Sequence, residues 1–442
     1  MKVNIQLINV DKEKAEAIRQ CALQNYGAYV KFYEDDQKPN EYEALLAVGG
    51  RTELTGFAVV EELKTDGMTT DELMYHLCAK LGKLSHSDLI TAKKESMLSN
   101  PKLSRRELIT GFSRGYQVFS DYPFIYYDVC EAKYGCNKCV SACPEGALKL
   151  EKRLELDISK CTKCGLCASV CPVAAIQMPT FSEYAYLGLL EGMNRVPAER
   201  RVLVLTSKEY GGHIPWVHFE KIDTRIISPR WLTMALASGI DLLVIEGEVS
   251  KELSSAIKTL SDLTGRVELG SVESALEKHR IGVGATHAVI FSRFDSWFNY
   301  VTSIRAVIKE GSNVSGLGLS EINISDTCTL CGACASKCPH SALKIDQSGK
   351  LLFDPSTCTG CGLCAAVCPE GSLSIEEQKT LNLSTKVIYE DELIRCARCG
   401  KPLYTKKFYE RLVAKLGVEY PMLRYCNECK QRIIYERMFG KK

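Results

Sequence analysis

The chain has 442 residues, 56 basic and 54 acidic side chains, a net charge of +2 and 45% hydrophobic residues. That length exceeds one ordinary domain, and the near-neutral balance argues against a protein built to coat nucleic acid or an anionic membrane surface. No apolar run reaches 18 residues, and the opening MKVNIQLINVDKEKAEAIRQ carries charges where a signal peptide needs an apolar core, so a cytoplasmic protein without direct membrane insertion is expected.

Residues 1–120 alternate two periodicities. VNIQLINV and YEALLAVGG suit strands, while KEKAEAIRQCALQNYG and TTDELMYHLCAKLGKL suit helices, which predicts an α/β domain. Cys21 and Cys78 fall on those helical patterns and read as ordinary core residues. A basic helical linker, KLSRRELITGFSRGYQVF, follows. Its SRRELITGF has the look of a twin-arginine export signal, but it sits at residues 104–112 and no long apolar stretch follows it. The aromatic run YPFIYY then leads to the first cysteine and reads as packing for the next module.

Cysteine dominates the composition: there are 22, and all but Cys21 and Cys78 fall in groups. Without a signal peptide, regular groups in a long chain point to metal-bound thiolates in a reducing compartment rather than to disulfides. Four segments align: CEAKYGCNKCVSACPEGALKL from Cys130, CTKCGLCASVCPVAAIQM from Cys161, CTLCGACASKCPHSALKI from Cys328 and CTGCGLCAAVCPEGSLSI from Cys358. Each ends in a short alternating strand, and the two halves of each pair are joined by a hairpin-like stretch, EKRLELDISK or DQSGKLLFDPST. Cysteines at i, i+3 and i+6 can wrap three corners of an iron–sulfur cube, with Gly165, Gly332, Ala333, Gly360 and Gly362 letting the backbone come close. The fourth cysteine, followed by proline, leads away to a neighbouring cube.

These segments resemble the bacterial two-cluster ferredoxins, over about 50 residues twice. The resemblance implies four [4Fe-4S] clusters. Cluster one would take Cys130, Cys136, Cys139 and Cys171; cluster two Cys161, Cys164, Cys167 and Cys143. Cluster three would take Cys328, Cys331, Cys334 and Cys368; cluster four Cys358, Cys361, Cys364 and Cys338. The first motif departs from the family, with EAKYG between Cys130 and Cys136 where two residues are usual, which leaves open a distorted or three-iron cluster one. Zinc rarely takes a third cysteine in this register followed by Cys-Pro, and a radical-SAM enzyme needs a C-x3-C-x2-C run that is absent.

Residues 195–315 repeat the α/β theme. RVLVLTS reads as a strand, WLTMALASGIDLLVIEGE as helix then strand, KELSSAIKTLSDLTG and SVESALEKHR as helices, and ATHAVIFSR as a strand, which predicts a small, mostly parallel sheet flanked by helices, an α/β domain of flavodoxin-like or hydrogenase-delta-like kind. ALASGIDLLVIEGE resembles the core of the methyl-viologen-reducing hydrogenase delta subunit of heterodisulfide reductase systems. That family carries cysteines for a two-iron cluster, and none occurs here between Cys171 and Cys328, so the resemblance implies a docking scaffold. GVGATH, residues 282–287, follows a helix and precedes a strand, the reverse of a phosphate cradle. His213, His218 and His287 stand isolated in sequence and read as packed or surface histidines.

In the tail, Cys396 and Cys399 of IRCARCGKPLYTKKF pair by spacing with Cys426 and Cys429 of YCNECKQR as one tetrahedral site, zinc or a rubredoxin-like iron. The tail resembles zinc-binding tails of hydrogenase and formate hydrogenlyase iron–sulfur subunits, which implies one structural Zn2+. Its basic residues (Lys401, Lys406, Lys407, Arg411, Lys415, Arg424, Lys430 and Arg432) suit a solvated face or a dock for an acidic partner.

The expected architecture is therefore α/β plus α+β and multidomain. It comprises an α/β domain (1–120), dicluster ferredoxin module 1 (121–180), a second α/β domain (195–315), module 2 (320–378) and a zinc-ribbon-like tail (390–442). The order α/β then ferredoxin occurs twice, as expected of a duplicated unit. The expected function is electron relay, without a catalytic residue of its own, in a complex whose other redox subunits carry a flavin, molybdopterin, nickel–iron or disulfide-reducing site. Hydrogenase, formate dehydrogenase or heterodisulfide-reductase-like partners fit. The alternatives are an oxidoreductase with a hidden flavin or nucleotide site and a protein with structural, non-redox clusters.

Overall fold

A computed structural model describes residues 2–33, 43–54, 59–86, 122–210, 212–279, 289, 291 and 295–440. The basic linker, GVGATH with His287, and most of ATHAVIFSR lie outside the described residues. The chain separates into two compact units: Met1–Cys130 with Asn137–Leu317, and Glu131–Cys136 with Gly318–Lys442.

The first unit begins with β1 (Lys2–Leu7), α1 (Lys12–Tyr26), β2 (Val30–Phe32), β3 (Glu43–Val48), β4 (Val59–Leu63) and α2 (Thr70–Ser85). The four strands form a parallel sheet in the order β2-β1-β3-β4. Its core joins Val3, Ile5 and Leu46 to Ile18 of α1 and to Leu73, Leu77 and Leu81 of α2. Asp11 caps α1 through Lys14 N. Thr69 and Glu72 form a reciprocal capping box that holds the entry of α2.

The chain continues through β5 (Phe124–Ile125), α3 (Lys138–Ala142), β6 (Leu148–Leu150), β7 (Leu154–Leu156), α4 (Leu166–Ser169), β8 (Ile176–Gln177) and α5 (Glu183–Asn194). The aromatic run does pack this module: β5 pairs with β8, and Tyr126 sits edge-on to Phe124 and Tyr184. Helices α2 and α5 meet through glycine. A Cβ on Gly192 would lie 2.1 Å from the Cys78 carbonyl oxygen, and one on Gly82 2.1 Å from that of Gly188. Any larger residue would have to push the backbones apart.

The second parallel sheet has the order β10-β9-β11-β12, from β9 (Val202–Thr206), β10 (Val217–Lys221), β11 (Leu242–Glu246) and β12 (Val267–Leu269). All five residues of β9 are buried, as expected for a parallel strand covered on both faces. Around it lie α6 (Pro229–Ala237), α7 (Lys251–Thr264), α8 (Val272–Lys278) and α9 (Ser296–Val307). The strand order matches that of the first sheet, but the helices fall at different places: α1 joins the first two strands of the first sheet, whereas in the second sheet α6 joins the second strand to the third and α7 the third to the fourth. Between the sheets α2 presents Lys80 and Lys83 to Glu61 of β4 and Glu220 of β10, with Lys80 Nζ 3.0 Å from Glu61 and 2.9 Å from Glu220. His218, far from isolated, stacks on His76 with the two Nδ1 atoms 3.0 Å apart, so one ring donates and the other accepts. His213 lies at the edge, 3.9 Å from Glu72.

The second unit contains β13 (Ser320–Ile324), α10 (Ala333–Lys337), β14 (Leu343–Ile345), β15 (Lys350–Phe353), α11 (Leu363–Ala366), β16 (Leu373–Glu377) and β17 (Lys386–Glu390). It ends with β18 (Leu393–Arg395), β19 (Pro402–Thr405), α12 (Lys406–Leu416) and α13 (Asn427–Phe439). Strand β13 pairs antiparallel with β16, and β15 sits between β14 and β17. The expected hairpins are present, β6 with β7 and β14 with β15; Gly349, at φ +82°, and the Asp346 carboxylate shape the second turn.

Candidate metal centres

The four cysteine segments share the turn that follows their last cysteine. Three residues after each Cys-Pro cysteine the backbone turns left-handed: Gly146 (φ 58°), Ala174 (52°), Ser341 (54°) and Gly371 (60°). The next residue then donates its N–H to the cysteine sulfur: Ala147 to Cys143 (3.3 Å), Ala175 to Cys171 (3.2 Å), Ala342 to Cys338 (3.3 Å) and Ser372 to Cys368 (3.4 Å). An alanine or serine in this region is strained, and the turn that imposes it aims an amide at a position suited to a thiolate.

The C-x2-C-x2-C loops share a second device. Lys163, Leu330 and Gly360, just before the second cysteine, have φ of 61°, 52° and 68°. Gly165, Gly332 and Gly362, just after it, are left-handed N-caps of the short helices that carry Cys167, Cys334 and Cys364. In the first segment Gly135 is left-handed but Asn137 is not, and the residues between Cys130 and Cys136 form a 3-10 turn, Glu131–Tyr134. Glu131 is buried, accepts a hydrogen bond from Thr359 Oγ1 at 3.0 Å and pairs with His340. Cys130, Cys139 and Cys171 are buried in the first unit, whereas Cys136 belongs to the segment that groups with the second.

One cavity in the second unit is lined by Cys328, Cys331, Cys334 and Cys368, with Leu330, Gly332, Leu351 and Leu373 around them. Three of these cysteines come from one loop and the fourth from the other half of the repeat. The same crossing shows in the electrostatics: Cys143 acts on Cys161, and Cys338 acts on Cys358 and Cys364. Burial pushes the Cys334 and Cys358 thiols up to about 12 and Cys364 up to about 11. Metal-free, these thiols hold their protons, so binding as thiolates must release them. Cys368 is the exception: burial opposes its thiolate, but hydrogen bonds from Ser372 bring it below the usual range.

The tail differs in scale. Among the described residues, Cys396, Cys399, Cys426 and Cys429 alone bring three or more such ligand atoms within 4.8 Å of one another. Cys399 and Cys426 sulfurs lie 3.6 Å apart, close to the edge of about 3.8 Å in a tetrahedron of Zn–S bonds. Burial opposes the Cys396 thiolate, but amides of Cys426, Cys399 and Arg398 outweigh it and hold it low. Several tail cations pair within their own unit: Lys401 with Glu428, Lys406 with Glu392, Arg411 with Glu370 and Arg424 with Glu419.

What covers module 1 has no signal in the chain order. Ile226 packs against Gly165 so closely that a Cβ there would lie 2.3 Å from its Cγ2. Arg230 of α6 donates to the Cys171 carbonyl and pairs with Glu183 at 2.9 Å, both buried; Trp231 Nε1 also donates to Glu183 at 3.0 Å.

Residues 134–175 and 327–372 match the 4Fe-4S dicluster domain. The chain is 46% identical over 52 residues to a subunit of the ion-translocating oxidoreductase complex of Methanosarcina acetivorans, covering 11% of this chain and 20% of that protein. It is 43% identical over 56 residues to pyruvate synthase subunit PorD of Methanothermobacter marburgensis, covering 13% of this chain and 63% of that one. It is also 33% identical over 89 residues to DNA-directed RNA polymerase subunit Rpo3 of Methanosarcina acetivorans, covering 19% and 32%. The chain thus spans less than two thirds of each of these relatives. Two dicluster 4Fe-4S domains of ferredoxin type stand in a mixed α/β chain, and no described helix is long and apolar enough to cross a membrane.

Proposed function

We propose that this chain is an electron-transfer subunit that carries four [4Fe-4S] clusters, with the ligand sets given above, and one structural zinc at Cys396, Cys399, Cys426 and Cys429. The observation that supports it most is the fourfold repetition of one device, a cysteine whose sulfur accepts an amide from a left-handed turn, at two matched dicluster domains. The donor set fits the group: thiolates crossing between halves, amides aimed at sulfur, and apolar side chains around one four-cysteine cavity. Such clusters supply one-electron redox chemistry when bound. The chain's own residues hold the thiolates, aim N–H groups at sulfur and exclude water.

The likenesses to components of an ion-translocating oxidoreductase complex and of pyruvate synthase favour redox subunits as partners. The α/β domains at 1–120 and 195–315 then serve as docking scaffolds around the ferredoxin modules, and the tail as a zinc-ribbon-like staple. Among partners, a hydrogenase, formate dehydrogenase or heterodisulfide-reductase-like subunit is favoured by the tail and by the helix, Gly239, Asp241 and strand pattern at residues 229–246. The test is anaerobic purification with iron, sulfide and zinc analysis, dithionite reduction followed by EPR, and identification of stoichiometric co-purifying subunits. About 16 iron and 16 sulfide per chain, reducible by dithionite, are expected. The likeness to a subunit of an RNA polymerase, whose polymerisation reaction transfers no electrons, supports a second reading, a protein with structural, non-redox clusters. Clusters that stay oxidised in dithionite would decide for it.

A further inference from the structure

Cys21 on α1 and Cys78 on α2 are 57 positions apart in sequence, yet their sulfurs lie 3.4 Å apart. Neither belongs to the ferredoxin motifs or the tail. Cys78 is fully buried, and Cys21 is half-buried beside the exposed Gln20, Leu23 and Gln24. The helices are clamped on either side of the pair. The Tyr26 hydroxyl, one turn beyond Cys21, donates to the Cys78 carbonyl at 3.0 Å. Gly192 of α5 presses on that same carbonyl. The Arg195 guanidinium covers the Tyr26 ring at 4.4 Å and donates to the Asn25 carbonyl. Two thiols therefore face each other between helices that cannot drift apart, and one can be reached from solvent.

We propose that Cys21 and Cys78 form a reversible disulfide by exchange with a low-molecular-weight disulfide, a thiol redox site distinct from the iron–sulfur centres. The two sulfurs need to close by about 1.3 Å to bond, which a χ1 adjustment at the half-buried Cys21 supplies without moving α2. The order of attack follows from the surroundings. A hydrogen bond from the Cys78 thiol lowers the Cys21 thiol below its usual range, while that same contact and burial push Cys78 up. The Cys21 thiolate attacks one sulfur of the external disulfide, forms a mixed disulfide and displaces one thiolate. Cys78 then loses its proton and attacks the Cys21 sulfur, displacing the second. Two protein thiols become one disulfide, the external disulfide becomes two thiols, and the two protons pass to the leaving thiolates.

The test uses the full cluster-loaded chain, held anaerobically in oxidised glutathione, then acid-quenched, unfolded, alkylated and mapped by mass spectrometry. Cys21 and Cys78 should lose alkylation together and appear as one joined peptide pair, while the visible absorbance of the clusters is unchanged. With Cys78→Ser, Cys21 should retain glutathione as a mixed disulfide. With Cys21→Ser, Cys78 should stay open to alkylation. The proposal is overturned if both thiols remain alkylated at intact clusters, or if each carries its own glutathione without a joined peptide.

Discussion

Replacing Cys368 by alanine tests the crossing of ligands between the halves of module 2. By sequence Cys368 closes the Cys358 loop, but in space it lines one cavity with Cys328, Cys331 and Cys334. If it serves the cluster of that cavity, the single variant loses one cube, about 4 of about 16 irons. The double variants carry the decision, because residues that act on one cluster are non-additive whereas residues on separate clusters add. Cys328→Ala with Cys368→Ala removes ligands of the same cube and should still lose about 4 irons. Cys358→Ala with Cys368→Ala strikes two cubes and should lose about 8. Iron and sulfide counts on anaerobically purified protein, with EPR spin quantitation after reduction, read the difference. The reverse pattern, about 8 irons lost for the first pair and about 4 for the second, would refute the crossing and assign each loop its own fourth cysteine.

Other perturbations have definite expected outcomes. Cys396→Ser should remove about one zinc per chain by plasma mass spectrometry and leave the iron count unchanged; a loss of iron instead would place iron in the tail. Gly192→Ala puts a Cβ 2.1 Å from a backbone oxygen; a rigid helix pair gives way at a cost of about 3 kcal/mol or more, seen as a lower midpoint in denaturant, and an unchanged midpoint would contradict this packing. Burial, first of all, lowers the folded pKa of His76 and of His218. The unfolded chain then binds more protons below its own histidine value of about 6.5, so stability is fully present above that pH and falls as the pH drops below it, by up to about 1.4 kcal/mol per pH unit for each histidine. Denaturation midpoints from pH 7.5 to 5.5 should show this slope, and His218→Gln should reduce it. Arg230→Met removes a buried cation from the Cys171 carbonyl and should lower one cluster potential by about 60 mV, a tenfold step for a one-electron couple. An EPR-monitored redox titration that shows no shift would leave Arg230 with a packing role alone.

The cysteine loops are legible in the sequence because their geometry is local. In three of the four segments a spacing of three residues, a glycine after the second cysteine and a proline after the fourth shape the loop whatever surrounds it. The same holds for α1, α2 and α7, whose caps Asp11, Thr69 and Ser250 lie beside the residues they serve, and for β3 and β9, whose apolar runs announce burial on both faces. Short, partly polar elements such as β4 (VVEEL), β10 (VHFEK) and β12 (VEL) escape such a reading, since they carry neither an apolar run nor a clear alternation to separate strand from loop.

Other features exist only once distant segments meet. Arg230 reaches a carbonyl 59 positions away, Lys80 finds Glu220 at 140, and Cys21 finds Cys78 at 57. Nothing near Cys21 in the chain distinguishes it from a small core residue. Its chemistry comes from the thiol opposite, brought there by the packing of two helices. By itself the sequence determines the cysteine loops and the α/β elements, because both rest on short-range covalent spacing and periodicity. Only the tertiary structure decides which buried charges are compensated and which thiols share a contact, because the energy of a charge or the reactivity of a sulfur depends on neighbours that chain order does not specify.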